Sequence, residues 1–121
     1  CPEKKVVCIT GDGGFLMMAG EMATAQRLGL HIVFIVLCDK ELSLIRIKQK
    51  HKNHSTGYGT TLGKQDFPDS DFFLGVPVLN ANNLDLYEKF LQKAFAMKGP
   101  VIIRASIDNR EYDNLVLRGN N

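Results

Sequence analysis

Two short stretches hold the residues best suited to chemistry: Gly11-Asp12-Gly13-Gly14-Phe15 and Cys38-Asp39-Lys40-Glu41. Each sets a carboxylate at the end of an apolar run. In the first, the aspartate lies among glycines, which let backbone N–H groups come close to a phosphate. A phosphate alone would be repelled by Asp12 and Asp39. A divalent cation between the carboxylates and the phosphate oxygens removes that conflict, since hard cations take oxygen ligands from both. The chemistry implied is a metal-diphosphate site. The same residues leave open a plainer arrangement, a tight glycine turn with Asp39 as a helix cap.

For this chemistry, the two stretches must meet at one rim. Val6-Val7-Cys8-Ile9 and Ile32-Val33-Phe34-Ile35-Val36-Leu37 are unbroken apolar runs rich in β-branched residues, the pattern of strands covered on both faces in a parallel sheet. Between them Met18, Met22, Ala25 and Leu28 recur at helical spacing, with Gly29 as a stop. A strand-helix-strand unit follows. In open α/β sheets ligands bind beyond the carboxyl ends of the strands, where Asp12 and Asp39 both fall. The spacing predicts a second helix over 84–98, capped by Asn82 or Asn83 and ended by Gly99-Pro100, leading into a strand at Val101-Ile102-Ile103. In Leu42 to Lys50 the run Ile45-Arg46-Ile47-Lys48 alternates like a strand, while Leu42, Leu44, Ile45 and Gln49 permit the helix favoured for it; His51 to Gln65 reads as a long glycine-containing loop. Phe67 to Leu74 is expected to give a short helix starting near Pro68, and Val76 to Leu79 a short strand. Asn109 to Asn121 reads as a polar tail carrying an isolated Leu115-Val116-Leu117.

Length and composition restrict the setting. A chain of 121 residues with 45% hydrophobic content can bury one ordinary core. A net charge of +2 does not argue for nucleic acid, and the basic run Lys48 to His54 lacks an aromatic platform. His51 and His54 sit in that solvated run without a further ligand cluster, which disfavours zinc. No apolar run approaches the roughly 20 residues that span a bilayer. Cys8 and Cys38 lie within apolar runs, Cys1 at the terminus, so reduced thiols and a cytoplasmic location are expected. Met17, Met18 and Met22 read as helix packing. A dinucleotide site is disfavoured because Phe15 and Leu16 fill the later positions of the Gly-x-Gly-x-x-Gly spacing. A non-catalytic phosphate- or nucleotide-binding module, and an interaction domain docking through Leu115-Val116-Leu117, remain alternatives.

Gly11-Asp12-Gly13, the helix Met18 to Ala25, the apolar strand to Leu37 and Asp39, 27 positions after Asp12, together resemble the cofactor motif of the thiamine-diphosphate-dependent enzymes. Asp66-Phe67 and the closing Gly99 to Ile103 resemble the C-terminal cofactor-binding domain of the acetolactate synthase and pyruvate oxidase group. The resemblance implies an α/β three-layer sandwich, a mostly parallel sheet flanked by helices, over residues 1–108, with 109–121 as a tail. It implies thiamine diphosphate and Mg2+ as cofactors, with Gly11, Asp12, Gly13, Gly14, Asp39, Glu41, Leu42, Ser43 and Leu44 around them. Asp12 and Asp39 would ligate the metal through carboxylates, Glu41 through its backbone carbonyl, and Gly13 and Gly14 would donate N–H groups to the diphosphate. The activity implied is decarboxylation of a 2-oxo acid and transfer of the resulting enamine to a second 2-oxo acid, a decarboxylase or an oxidase being the alternatives. Flavin (FAD) is compatible with such a full-length enzyme but nothing in these residues indicates it. The implied partner is a pyrimidine-binding domain of the same or a second subunit, within a homodimer or homotetramer. That domain's glutamate is not in this chain, which therefore reads as a fragment of a longer enzyme, carries no assigned catalytic residue and is expected to be inactive alone.

Overall fold

The computed structural model describes residues 3–52, 57–63 and 70–114. Expectations that fall on Cys1, His54, Asp66-Phe67, Pro68 and Leu115-Val116-Leu117 lie outside the described residues. The apolar runs form strands β1 (Val6–Gly11), β2 (Ile32–Cys38) and β5 (Val101–Ser106), joined by β3 (Phe72–Phe73) and β4 (Val76–Ala81) in one sheet of order β1-β2-β5-β4-β3. Every pairing is parallel except β3 with β4. The helices are α1 (Asp12–Met17), α2 (Glu21–Arg27), α3 (Ser43–His51) and α4 (Leu84–Ala96).

Alternation along the strands builds a core on each face of the sheet. Phe34 and Val36 of β2, Val78 of β4 and Ile102 of β5 meet Phe15 of α1 and Met22 of α2 on one face. Val33, Ile35, Val101 and Ile103 meet Ala94 of α4 on the other. The result is the expected three-layer α/β sandwich. Asn83 caps α4 by accepting from the Leu86 N–H at 2.9 Å, as its sequence position implies.

Three local expectations are corrected. The first helix does not run unbroken from Met18: α1 already begins at Asp12, a turn follows, and α2 starts at Glu21. Met22 and Ala25 still pack inward, but Met17 is 87% exposed and Met18 42%, so only the last methionine of the three serves the core. Phe72 and Phe73 form a strand antiparallel to β4 where a helix was expected; two bulky aromatics pair more readily along a half-buried edge. Finally, β1 is an outermost strand of the described sheet, and its Val6, Val7 and Ile9 are exposed although their pattern reads as covered on both faces.

Candidate functional site

Gly11 of β1 lies in register with Leu37 of β2, so the two strands end side by side, with Asp12 and Asp39 one and two residues further on. A cleft of about 200 Å3 opens at this rim. All nine residues expected around a cofactor line it: Gly11, Asp12, Gly13, Gly14, Asp39, Glu41, Leu42, Ser43 and Leu44. Leu37, Ile45 and Tyr112 line it too. Tyr112 was out of reach of sequence reasoning, because it belongs to a 3-10 turn (Asn109–Asn114) that packs on α3 from far along the chain.

Asp12 is 5% exposed. Phe15, fully buried three residues later, sets edge-to-face against Phe34 and Phe73 and pins the start of α1 to the sheet. Asp12 accepts from the Gly13 N–H through Oδ1 at 2.8 Å and from the Lys40 N–H through Oδ2 at 2.9 Å. Asp39 accepts from the Glu41 N–H through Oδ1 at 2.9 Å and from the Ser43 hydroxyl through Oδ2 at 2.6 Å. Burial pushes the Asp12 carboxyl above its ordinary value; backbone hydrogen bonds pull against this and the Asp39 charge adds to it. Two adjacent carboxylates, one buried and held mainly by N–H dipoles, form a hard-oxygen donor set that a divalent cation would stabilise. The Gly13 N–H, expected to serve a phosphate, donates to Asp12 here.

The glycines have a steric reason at this place. A Cβ on Gly13 would lie 2.4 Å from Leu42 Cδ2, and one on Gly14 would lie 2.8 Å from Thr10 Oγ1. Gly13 thus brings the N-terminus of α1 close against the Leu42 side chain, just ahead of α3, and Gly14 sits close against Thr10 of β1.

Glu41 has two separate faces. Its carboxylate is engaged by Arg46 Nε at 2.9 Å, Asn109 Nδ2 at 3.0 Å and Thr60 Oγ1 at 3.4 Å, so the side chain is turned to the protein. Glu41 also bridges Thr61, through bonds from the Leu42 N–H to Thr60 O and the Leu62 N–H to Lys40 O, neither of which uses the Glu41 carbonyl. Among the described residues no group of three His, Cys, Asp or Glu side chains is placed to hold a metal, and a set using Asp12 and Asp39 needs a backbone oxygen or the ligand itself to complete it. Cys38, beneath the rim, is a free thiol pushed up to about 12 by burial and by the nearby Asp12, which removes it as a nucleophile.

A mostly parallel sheet with a glycine-aspartate turn and a cleft at its carboxyl rim defines an open α/β protein, the class in which ligands bind at that rim. The model of the thiamine pyrophosphate enzyme C-terminal TPP binding domain matches residues 1–105, and the chain belongs to that family. It is 31% identical over 118 residues to the catabolic acetolactate synthase of Raoultella terrigena, covering 98% of this chain and 21% of that protein. It is 33% identical over 114 residues to the acetolactate synthase of Bacillus subtilis, covering 94% of this chain and 20% of that protein. The fold matches benzoylformate decarboxylase from Polynucleobacter necessarius with a TM-score of 0.70 at 20% identity, over 88% of this chain and 20% of that one. The chain thus spans about a fifth of the length of these relatives. Among the described residues no helix is long and apolar enough to cross a membrane.

Proposed function

We propose that this chain holds the magnesium-diphosphate end of thiamine diphosphate in an acetolactate synthase-like enzyme, which decarboxylates one 2-oxo acid and joins the remaining fragment to a second. The observation that carries the reading is the shared rim: Asp12 and Asp39, 27 positions apart, line one cleft with the Gly11 to Gly14 turn and with Leu42, Ser43 and Leu44. Asp12 and Asp39 would hold Mg2+ with their carboxylates and Glu41 with its carbonyl. Gly13 and Gly14 allow close approach of the diphosphate, and the apolar side chains of Leu42 and Leu44 would limit water around it. When bound, the cofactor supplies an electron sink for decarboxylation. The residues of this chain would bind and orient it, with the cation they hold offsetting the diphosphate charge; the proton chemistry falls to a pyrimidine-binding domain of the same or another subunit, in a cytoplasmic homodimer or homotetramer. The 121-residue chain alone would bind but not turn over.

Calorimetric titration with thiamine diphosphate tests this. Binding is expected with Mg2+ and at least about tenfold weaker in chelator, a difference of about 1.4 kcal/mol. Asp39→Ala should show the same loss with Mg2+ present. Equal binding with and without metal, or tighter binding of ATP or NAD, would remove the reading in favour of a general phosphate or nucleotide module.

A further inference from the structure

The Lys40-Glu41 turn joins the two aspartates. Its consecutive N–H groups are each spent on one carboxylate, Lys40 N on Asp12 Oδ2 and Glu41 N on Asp39 Oδ1, both at 2.9 Å. Lys40 holds this position at φ 63°, in the left-handed region that a lysine occupies only when its surroundings fix it. Two backbone bonds, from the Leu62 N–H to Lys40 O and from the Leu42 N–H to Thr60 O, hold the turn against the segment 57–63, and beside them lies the anchored Glu41 carboxylate. Its three partners come from separate parts of the chain: Arg46 on α3, Thr60 on the segment 57–63, and Asn109, 68 positions away, on the turn that carries Tyr112. Arg46 and Glu41 are 19% and 16% exposed and Thr60 is fully buried, so these contacts are sheltered from solvent screening. A surface pair with Arg46 alone would need no partner from so far along the chain.

We propose that the Glu41 side chain is a positioning residue: it locks the Lys40-Glu41 turn, and through that turn's two N–H groups it sets Asp12 and Asp39 for a divalent cation, while its bond to Asn109 seats Tyr112 at the same cleft. This rests on the thiamine diphosphate reading for the identity of the ligand, but the lock itself is a property of the ligand-free chain. The side chain acts through the backbone, and does not itself touch the cation.

The test uses Glu41→Ala, Glu41→Gln and Asn109→Ala, with Asn83→Ala as a destabilised control remote from the cleft. Amide hydrogen exchange on ligand-free protein should show faster exchange at Lys40, Glu41 and Leu62 in Glu41→Ala and unchanged rates there in Asn83→Ala. Mg2+ affinity, measured at fixed thiamine diphosphate, should fall about tenfold or more in Glu41→Ala, as losing a charge-assisted hydrogen bond implies. Glu41→Gln, which keeps an acceptor for Asn109, should recover part of that loss, and Asn83→Ala should show none. Should Glu41→Ala fail to fold, Glu41→Gln and Asn109→Ala carry the same comparison. Unchanged exchange at Lys40 and Glu41 in the variants, or an equal Mg2+ loss in Asn83→Ala, overturns the proposal. If the parent protein binds no thiamine diphosphate, the ligand reading fails and the exchange measurement alone decides the lock.

Discussion

At the scale of single residues, the instructive group is Asp12, the buried carboxylate proposed above as a cation ligand, because its burial burdens the metal-free fold. Its carboxyl lies above the ordinary value of 3.8, chiefly through burial, so the folded protein keeps this proton more tightly than the unfolded chain does. Below about pH 3 both states are protonated and Asp12 adds no pH dependence. As pH rises through 3.8 the unfolded chain ionises first and stability falls, and the loss stops growing once the folded carboxyl has ionised as well. Thermal melts of metal-free protein should therefore show the parent losing stability relative to Asp12→Asn as pH rises above about 4. Adding Mg2+ with thiamine diphosphate at pH 7 should raise the parent's melting temperature and leave that of Asp12→Asn unmoved; at a hundred times the dissociation constant the linkage is about 2.7 kcal/mol. A parent and variant that track each other across this pH range would show that the carboxyl is not burdened as the geometry implies.

At the scale of elements, the site depends on how closely α1 can approach the start of α3, and Gly13 sets that distance. Gly13 lies inside α1 with no positive φ, so alanine suits its backbone and by itself would stabilise by a few tenths to 1 kcal/mol. Its Cβ, however, would sit 2.4 Å from Leu42 Cδ2, and Leu42 lines the cleft. The leucine end is flexible and can rotate away, at the expense of cleft space. Gly13→Ala should hence melt within about 1 kcal/mol of the parent while binding thiamine diphosphate about tenfold more weakly by calorimetry. Unchanged binding would mean that Leu42 gives way without narrowing the site. The same element scale shows what the sequence made legible. Strands β2 and β5 and helix α4 stood out because apolar runs, periodicity and caps are local signals, and the rim followed from strand ends and glycines; α3 was less distinct, since Ile45-Arg46-Ile47-Lys48 also alternates like a strand and no side chain caps it. The break between α1 and α2 did not, because Met18 and Leu28 fit the helical period yet are exposed; burial depends on what lies opposite. The partners of Glu41 were hidden for a similar reason. Nothing local in Thr60 or Asn109 marks them as anchors, and their roles come from chain segments 19 and 68 positions away.

At the scale of the whole molecule, the imbalance lies at β1. Its composition suits an interior strand, yet Ile9 is 67% exposed, Val6 52% and Val7 41%, and β2 is its one partner in the described sheet. An open parallel edge with apolar side chains on both faces invites pairing with another chain, and natural edges usually counter this with lysine. Here Lys5, just ahead of the strand, is committed elsewhere: its ammonium donates to the carbonyls of Ala94, Phe95 and Met97 at 3.2, 3.0 and 2.6 Å, closing the C-terminal end of α4. That bond ties the start of β1 to the opposite layer and leaves the apolar edge without its guard. The 121-residue chain produced on its own should accordingly self-associate with rising concentration in sedimentation velocity. Ile9→Lys should return it toward monomer while shifting stability by no more than about 0.5 kcal/mol, since the side chain it replaces is largely in water. Lys5→Met should act differently, freeing the α4 carbonyls and lowering stability by about 1 kcal/mol without relieving association. A chain that stays monomeric at all concentrations, with Ile9→Lys indistinguishable from it, would mean that the twist of the edge alone keeps β1 from pairing.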